Sequence, residues 1–167
     1  MILRESGLPD LESMAKIIDS CQAVQSLESG LDWNKESLRN AIIDTEGRVL
    51  GAYLAEMLVG FILFKELMGP ADEGEFETNA IKKSQCIEIW CLATLPAQQG
   101  KGVMSALLRD LKLMTDEIWL EVHESNLKAI NFYINQEFQQ VGIRSSYYKD
   151  GKDAWLFTWK SEKRVTY

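Results

Sequence analysis

The chain has 167 residues, 46% of them hydrophobic and 26% charged, with a formal net charge of −7. That length suits one domain, residues 1–167, around a single sizeable core, and that balance suits a soluble globular protein; a disordered or fibrous chain is excluded. The acidity, with a pI near 4.8, argues against nucleic acid as a general partner, because phosphate contacts need concentrated Lys and Arg, and it favours a basic ligand, although many acidic surfaces serve only solubility.

The opening MILRESGLPD is charged within its first residues, so it reads as no signal peptide, and no apolar run approaches the roughly 18 residues of a membrane span. A cytoplasmic protein is expected. ILRES is a short strand candidate. LPDLESMAKIIDSCQ spaces Leu11, Met14, Ile17 and Ile18 as a helix after the start signals Pro9 and Asp10, and NKESLRNAII is a second helix opened by Asn34. RVLGAYLA and LVGFILFKEL are β-rich runs either side of Glu56, which suggests an antiparallel hairpin. The acidic stretch 69–84 has no period and reads as a loop.

The pattern then changes to strand (86–95), glycine loop, helix (100–116), strand (EIWLEVHE) and helix (126–136). Such a βαβα run implies neighbouring parallel strands joined by a crossover helix. The tail holds two strands around KDGKD, an antiparallel finish. The fold class is therefore α/β with a mixed sheet. Cys21, Cys86 and Cys91 form no C-x-x-C, and with a single histidine neither a disulfide framework nor a zinc site is expected.

The loop between strand and helix reads PAQQGKGVMSALL. It lacks the P-loop spacing, and Ser105 stands where a dinucleotide fingerprint needs its third glycine. It does match Q-x-x-G from Gln99 to Gly102. Glycines there would let the main chain approach a ligand while the free N–H groups of the first helical turn face an anion. An ordinary strand-to-helix turn is the competing explanation. In IWLEVH, alternation sends Ile118, Leu120 and Val122 to one face and Trp119, Glu121 and His123 to the other, which leaves a carboxylate in mid-strand. Such a group needs a partner or a task.

The loop resembles the acetyl-CoA-binding segment of the GNAT acetyltransferases. WLEVHESNLKAINFY, Phe138, IRSSYY, DAW and the earlier LDWNKESLRNAI resemble in particular the bacterial ribosomal-protein alanine N-acetyltransferases of the RimI type. Met104 departs from the family's Gly or Ala, Glu137 from its usual Gly, and the 69–84 loop is longer. The resemblance implies a single GNAT domain of six to seven strands and about four helices, with acetyl-CoA as cosubstrate. It implies that Leu92, Ala93 and Thr94 hold the pantetheine arm through main-chain bonds, and that Gln99 opens a loop whose N–H groups at Gly100, Lys101, Gly102, Val103, Met104 and Ser105 hold the pyrophosphate. Lys101 could equally be a solvated lysine.

By the same resemblance Asn126 contacts the cofactor, though an N-cap alone would explain it. Glu121 is the general base, against a salt bridge across the sheet. Tyr133 is the general acid, against a core aromatic. His123 is an exposed strand-end residue or, less directly, an acid or base. Trp33, Tyr147 and Tyr148 wall an acceptor groove or pack the core, and Arg144 lies nearby without an assigned role. The implied activity is acetylation of the N-terminal α-amine of a basic ribosomal-protein peptide. A small-amine acetyltransferase and a non-catalytic acyl-CoA-binding module are the alternatives.

Overall fold

The computed structural model describes residues 1–6, 10–24, 33–67 and 84–162. In chain order these form β1 (Ile2–Ser6), α1 (Leu11–Val24), α2 (Lys35–Ile43), β2 (Arg48–Leu54), β3 (Met57–Leu67), β4 (Ser84–Thr94), α3 (Val103–Met114), β5 (Thr115–His123), α4 (Leu127–Asn135), β6 (Gln139–Arg144) and β7 (Ala154–Lys160). The seven strands make one sheet in the order β1-β2-β3-β4-β5-β7-β6. Only β4 and β5 run parallel, joined by α3 as the βαβ spacing requires. Pro9 and all but the last residue of the acidic 69–84 stretch lie outside the described residues, and that last residue, Ser84, already begins β4.

Local chemistry sets the helix ends. Asn34 caps α2 by accepting from the Ser37 N–H at 2.9 Å, while the Asn34 N–H donates back to Ser37 Oγ at 2.8 Å. This reciprocal box satisfies two donors that the first helical turn would otherwise leave unpaired. Helix α3 starts three residues later than its sequence pattern, because Gly100 and Gly102 are left-handed, at φ 73° and 79°. Helix α4 closes in a Schellman motif: the Phe138 N–H reaches Tyr133 O and the Glu137 N–H reaches Ile134 O, each at 3.0 Å. Glu137 holds the left-handed position, φ 66°, that glycine usually fills, at a cost of about 1–2 kcal/mol, with Lys112 beside its carboxylate. The Phe138 ring packs on Tyr133 at 5.7 Å, so this turn fixes where Tyr133 stands.

The sheet separates two cores. Helices α3 and α4 cover one face, where Leu107, Leu108 and Leu111 are fully buried against Ile87, Ile118 and Phe157. Each such leucine is worth about 1.5–3 kcal/mol of burial. Helices α1 and α2 cover the other face through Met14, Ile17, Ile18 and Leu38. Strand β4 serves both cores, with Ile87 and Ile89 in the first and Cys91 and Ala93 in the second. Its odd-numbered residues change face because a bulge at Trp90 breaks the period: Phe64 pairs with Ile89 but Leu63 with Cys91.

Candidate active site

The bulge determines the site. Parallel pairing of β4 with β5 ends at Ile89 and Leu120, just where β4 bends, so Trp90–Thr94 and Glu121–His123 diverge and leave an open V in the sheet. The Leu95 N–H donates to Val59 O at 2.9 Å, toward β3. In a trans peptide the preceding carbonyl points the opposite way, so Thr94 O faces the V, and strand alternation gives Leu92 the same orientation. The polar main-chain groups of Ala93 turn to β3 instead. Leu92 and Thr94 thus present an edge that no strand pairs among the described residues, where Thr94 O accepts from the Cys21 thiol and the Gln99 amide, each at 3.3 Å.

Beyond that edge lies a cavity of about 400 Å³ lined by every predicted cofactor residue except Lys101, which stands exposed outside it. Its floor is the start of α3. Gly102 caps that helix without any side-chain hydrogen bond, leaving the Val103, Met104 and Ser105 N–H groups without intrahelical partners. A Cβ added at Gly100 or Gly102 would touch nothing within 4 Å, so the glycines answer to the left-handed backbone and keep the space above it clear. Met104 lines the cavity yet also packs on the α3 core. Thr94 Oγ1 is buried without a partner at the same wall. Gln99 was expected as a ligand contact; here its amide donates to Thr94 O at 3.3 Å and accepts from Lys128 Nζ at 2.7 Å. The sequence reading missed Lys128 in this wall.

A second cavity, about 350 Å³, opens on the α1/α2 face and is lined by Trp33, Glu88, Trp90, Glu121, Arg144, Tyr147 and Tyr148 among others. Glu121 is in the predicted orientation and pairs with Arg144, Nη1 to Oε1, at 2.8 Å. The Tyr147 hydroxyl also bonds Glu121, which pushes that tyrosine upward from its usual pKa. Burial, then the nearby Glu121 charge, pushes Tyr148 up to about 12. Glu88 and Trp90, linked Nε1 to Oε2 at 2.9 Å, are further lining residues the sequence did not single out. Alternation in IEIW, which sets them opposite Ile87 and Ile89, was their signal.

His123 differs from its expectation: it is buried, not exposed. Its Nδ1 accepts from the Ser125 N–H at 3.1 Å, and its Nε2 meets Asp150 Oδ2 at 3.0 Å, so the ring ties β5 to the β6–β7 connection. Tyr148 packs on it with centroids 4.5 Å apart. Its role here is to hold a wall of the groove.

The two cavities share Cys91, Leu92, Asn126, Ala129 and Tyr133. Asn126 caps α4 by accepting from the Ala129 N–H at 3.2 Å and still lines both spaces through its exposed amide side. Tyr133 is only 5% exposed, its ring among Phe132, Phe138 and Phe157. Burial raises the pKa of its hydroxyl well above the usual value, and burial raises the Cys91 thiol likewise.

A sheet split at a bulge, a helix start with free N–H groups and two cavities meeting at one buried tyrosine give the domain room for an extended, anion-bearing ligand beside a second molecule. The chain belongs to the acetyltransferase (GNAT) family, which it matches over residues 11–138. It is 31% identical over 121 residues to an N-alpha-acetyltransferase of Sulfurisphaera tokodaii, covering 69% of this chain and 65% of that one. It is 29% identical over 126 residues to N-alpha-acetyltransferase RimI of Mycobacterium tuberculosis, covering 74% of this chain and 72% of that protein. The chain thus spans just under two thirds of the Sulfurisphaera relative's length.

Among solved structures, a ribosomal-protein-alanine N-acetyltransferase of Escherichia coli superposes with a TM-score of 0.68 at 19% identity, over 99% of this chain and 100% of that one. Arabidopsis thaliana NAA60 in complex with acetyl-CoA gives 0.68 at 18% identity, over 95% and 97%. At these identities the likeness shows the fold. Acetyl-CoA is the family's cosubstrate, and the first cavity fits it: an open strand edge, an orphaned Thr94 hydroxyl and a glycine turn below free helical N–H groups. No helix among the described residues is long and apolar enough to cross a membrane.

Proposed function

We propose that this protein transfers an acetyl group from acetyl-CoA to the N-terminal α-amine of a protein, by direct attack of the amine on the thioester. The observation that carries this reading is the meeting of the two cavities at Tyr133, with Glu121 on the acceptor side. The N-alpha-acetyltransferase names of the Sulfurisphaera and Mycobacterium relatives support it. The acceptor we favour is the terminal alanine of a basic small-subunit ribosomal protein, which suits the chain's net charge of −7 and a cytoplasmic setting.

Acetyl-CoA, when bound, supplies the activated acetyl thioester. In this reading the N–H groups around Gly102 hold the pyrophosphate and the Leu92 and Thr94 edge holds the pantetheine arm. Glu121 takes the proton that the acceptor's ammonium must lose, directly or through water. An α-amine has a pKa of about 7.7–8.0 against about 10.4 for lysine, so the base has modest work and an α-amine is the easier acceptor. As the new C–N bond forms the C–S bond breaks, and the Tyr133 hydroxyl donates a hydrogen bond to the departing sulfur. Its raised pKa favours hydrogen bonding over full proton transfer, with water completing protonation. Cys21 and Cys91 line the cavity, but burial raises both thiols, so they stay protonated and poor nucleophiles; that supports direct transfer.

The test is incubation with acetyl-CoA and a panel of peptides with free N-termini, alongside polyamine and aminoglycoside, read by mass spectrometry. The expected product is an N-terminally acetylated alanine peptide. Turnover of small amines alone would replace this acceptor class with theirs, and tight acetyl-CoA binding without turnover of anything would leave a binding module.

A further inference from the structure

The proposed function leaves the exposed Arg144 without a role. Strand β6 does not run in simple register with β7. Gln140 pairs with Phe157, but Gly142 rather than Val141 pairs with Leu156, so Val141 is an extra residue. Because side chains alternate, unbroken pairing would place Arg144 on the sheet face opposite Glu121. The bulge moves it onto the same face.

The rows across the three strands then read Glu121–Leu156–Gly142 and, one pair further on, His123–Ala154–Arg144. From Arg144 to Glu121 the diagonal crosses two strand spacings and one same-face step, roughly 12 Å between Cα atoms. A long side chain can span it only if nothing tall intervenes. Ala154 lies beneath the path, and Leu156, which flanks it in the Glu121 row, carries its Cδ1 to 3.5 Å from where a Cβ on Gly142 would stand, into room that glycine leaves. Arg144 Nη1 reaches Glu121 Oε1 at 2.8 Å, and its guanidinium lies 5.6 Å above the centre of the Tyr147 ring, whose own hydroxyl bonds Glu121.

From this geometry we propose that Arg144, placed by the β6 bulge and steadied by Tyr147, is a positioning residue for Glu121: it occupies one carboxylate oxygen and turns the other toward the acceptor. The role rests on Glu121 being the base in the reading above. The other titratable groups that line the groove with Glu121 are Glu88 and Cys91 on β4, His123 on β5, Tyr133 on α4 and Tyr147 and Tyr148 after β6, with Arg144 itself. Glu88 adds like charge on this groove, and Arg144 is the only cation among the described residues that line it.

The test compares Arg144→Gln, Arg144→Lys, Glu121→Gln and the Gln/Gln double variant. Each is assayed for kcat and acceptor KM with acetyl-CoA and an alanine-led peptide, with a thermal melt to establish folding. Arg144→Gln should lower kcat about tenfold and leave acceptor KM within about twofold, the split expected of a group that orients the base without touching the acceptor. Lysine restores charge without the planar fork that holds one carboxylate oxygen, so Arg144→Lys should recover only part of the rate.

In the Glu121→Gln background, Arg144→Gln should add nothing further. A raised acceptor KM with kcat intact would make Arg144 a substrate contact, and a fully additive double variant also overturns the proposal. Full activity of Glu121→Gln overturns the base assignment, and this role of Arg144 with it. That result is distinct from failure of the proposal alone, in which Glu121→Gln is slow and Arg144→Gln is not.

Discussion

The two halves of the cleft are built from different material. The side proposed for the cofactor is mostly backbone: a strand edge at Leu92 and Thr94, two left-handed glycines and the free N–H groups of one helix, nearly all within residues 92–105. The acceptor side is side chains drawn from distant segments, with Trp33 before α2, Glu88 and Trp90 on β4, Glu121 on β5, and Arg144 and the tyrosines at the end of β6. A backbone site holds its ligand whatever the surrounding side chains are, so one cofactor can be kept while acceptors diverge. Side-chain changes should therefore act on rate and acceptor choice on one side, and only backbone geometry or added bulk should act on cofactor affinity on the other.

The sharpest break is Glu121→Gln, which keeps shape and removes the proposed base. It should lower kcat by about 10² to 10⁴, with a smaller deficit at high pH where more acceptor amine is already neutral. Acetyl-CoA affinity, measured by calorimetry, should hardly change. A fully active variant would return Glu121 to a purely structural ion pair with Arg144.

On the other side, Gly102→Glu should weaken acetyl-CoA binding by about 10- to 100-fold, the range expected from losing one or two hydrogen bonds to a charged group. The new Cβ also strains a left-handed backbone, at φ 79°, by about 1–2 kcal/mol. Unchanged affinity in a folded variant would remove the loop from the binding site.

Tyr133→Phe probes the point where the halves meet. The ring and its three aromatic neighbours remain, so the melting temperature should stay close to wild type while kcat falls by about tenfold or more with acetyl-CoA affinity kept. Because the folded pKa of Tyr133 lies above the ordinary value near 10, the hydroxyl stays protonated through pH 10, and no alkaline loss of wild-type rate should appear below that. Early melting with normal turnover of the folded fraction would leave Tyr133 as core alone.

The smallest effect should come from salt. Steering of a basic peptide by a chain of net charge −7 is screened over about 10 Å at 0.1 M, so acceptor KM should rise a few-fold from low to high ionic strength while acetyl-CoA affinity follows a different slope. A KM flat in salt would detach the acidic surface from acceptor choice.

What the sequence determined by itself is what depends on near neighbours. Hydrophobic period placed α1, α3, α4 and the parallel pair, the Asn34 and Ser37 spacing opened α2, and the glycines at 100 and 102 marked the anion-facing helix start, because capping, alternation and left-handed turns are settled within a few residues. Alternation alone put Glu121 on the correct face of β5. The tertiary structure decided whatever required a second strand. The Trp90 bulge shows only as a slip against β3, yet it ends the β4–β5 pairing and opens the V; the Val141 bulge shows only against β7, yet it turns Arg144 to Glu121; and His123 became buried because Asp150, 27 residues away, folds back onto it. A bulge has no composition of its own, and a contact between remote residues has no local period, so both exist only once the strands have paired.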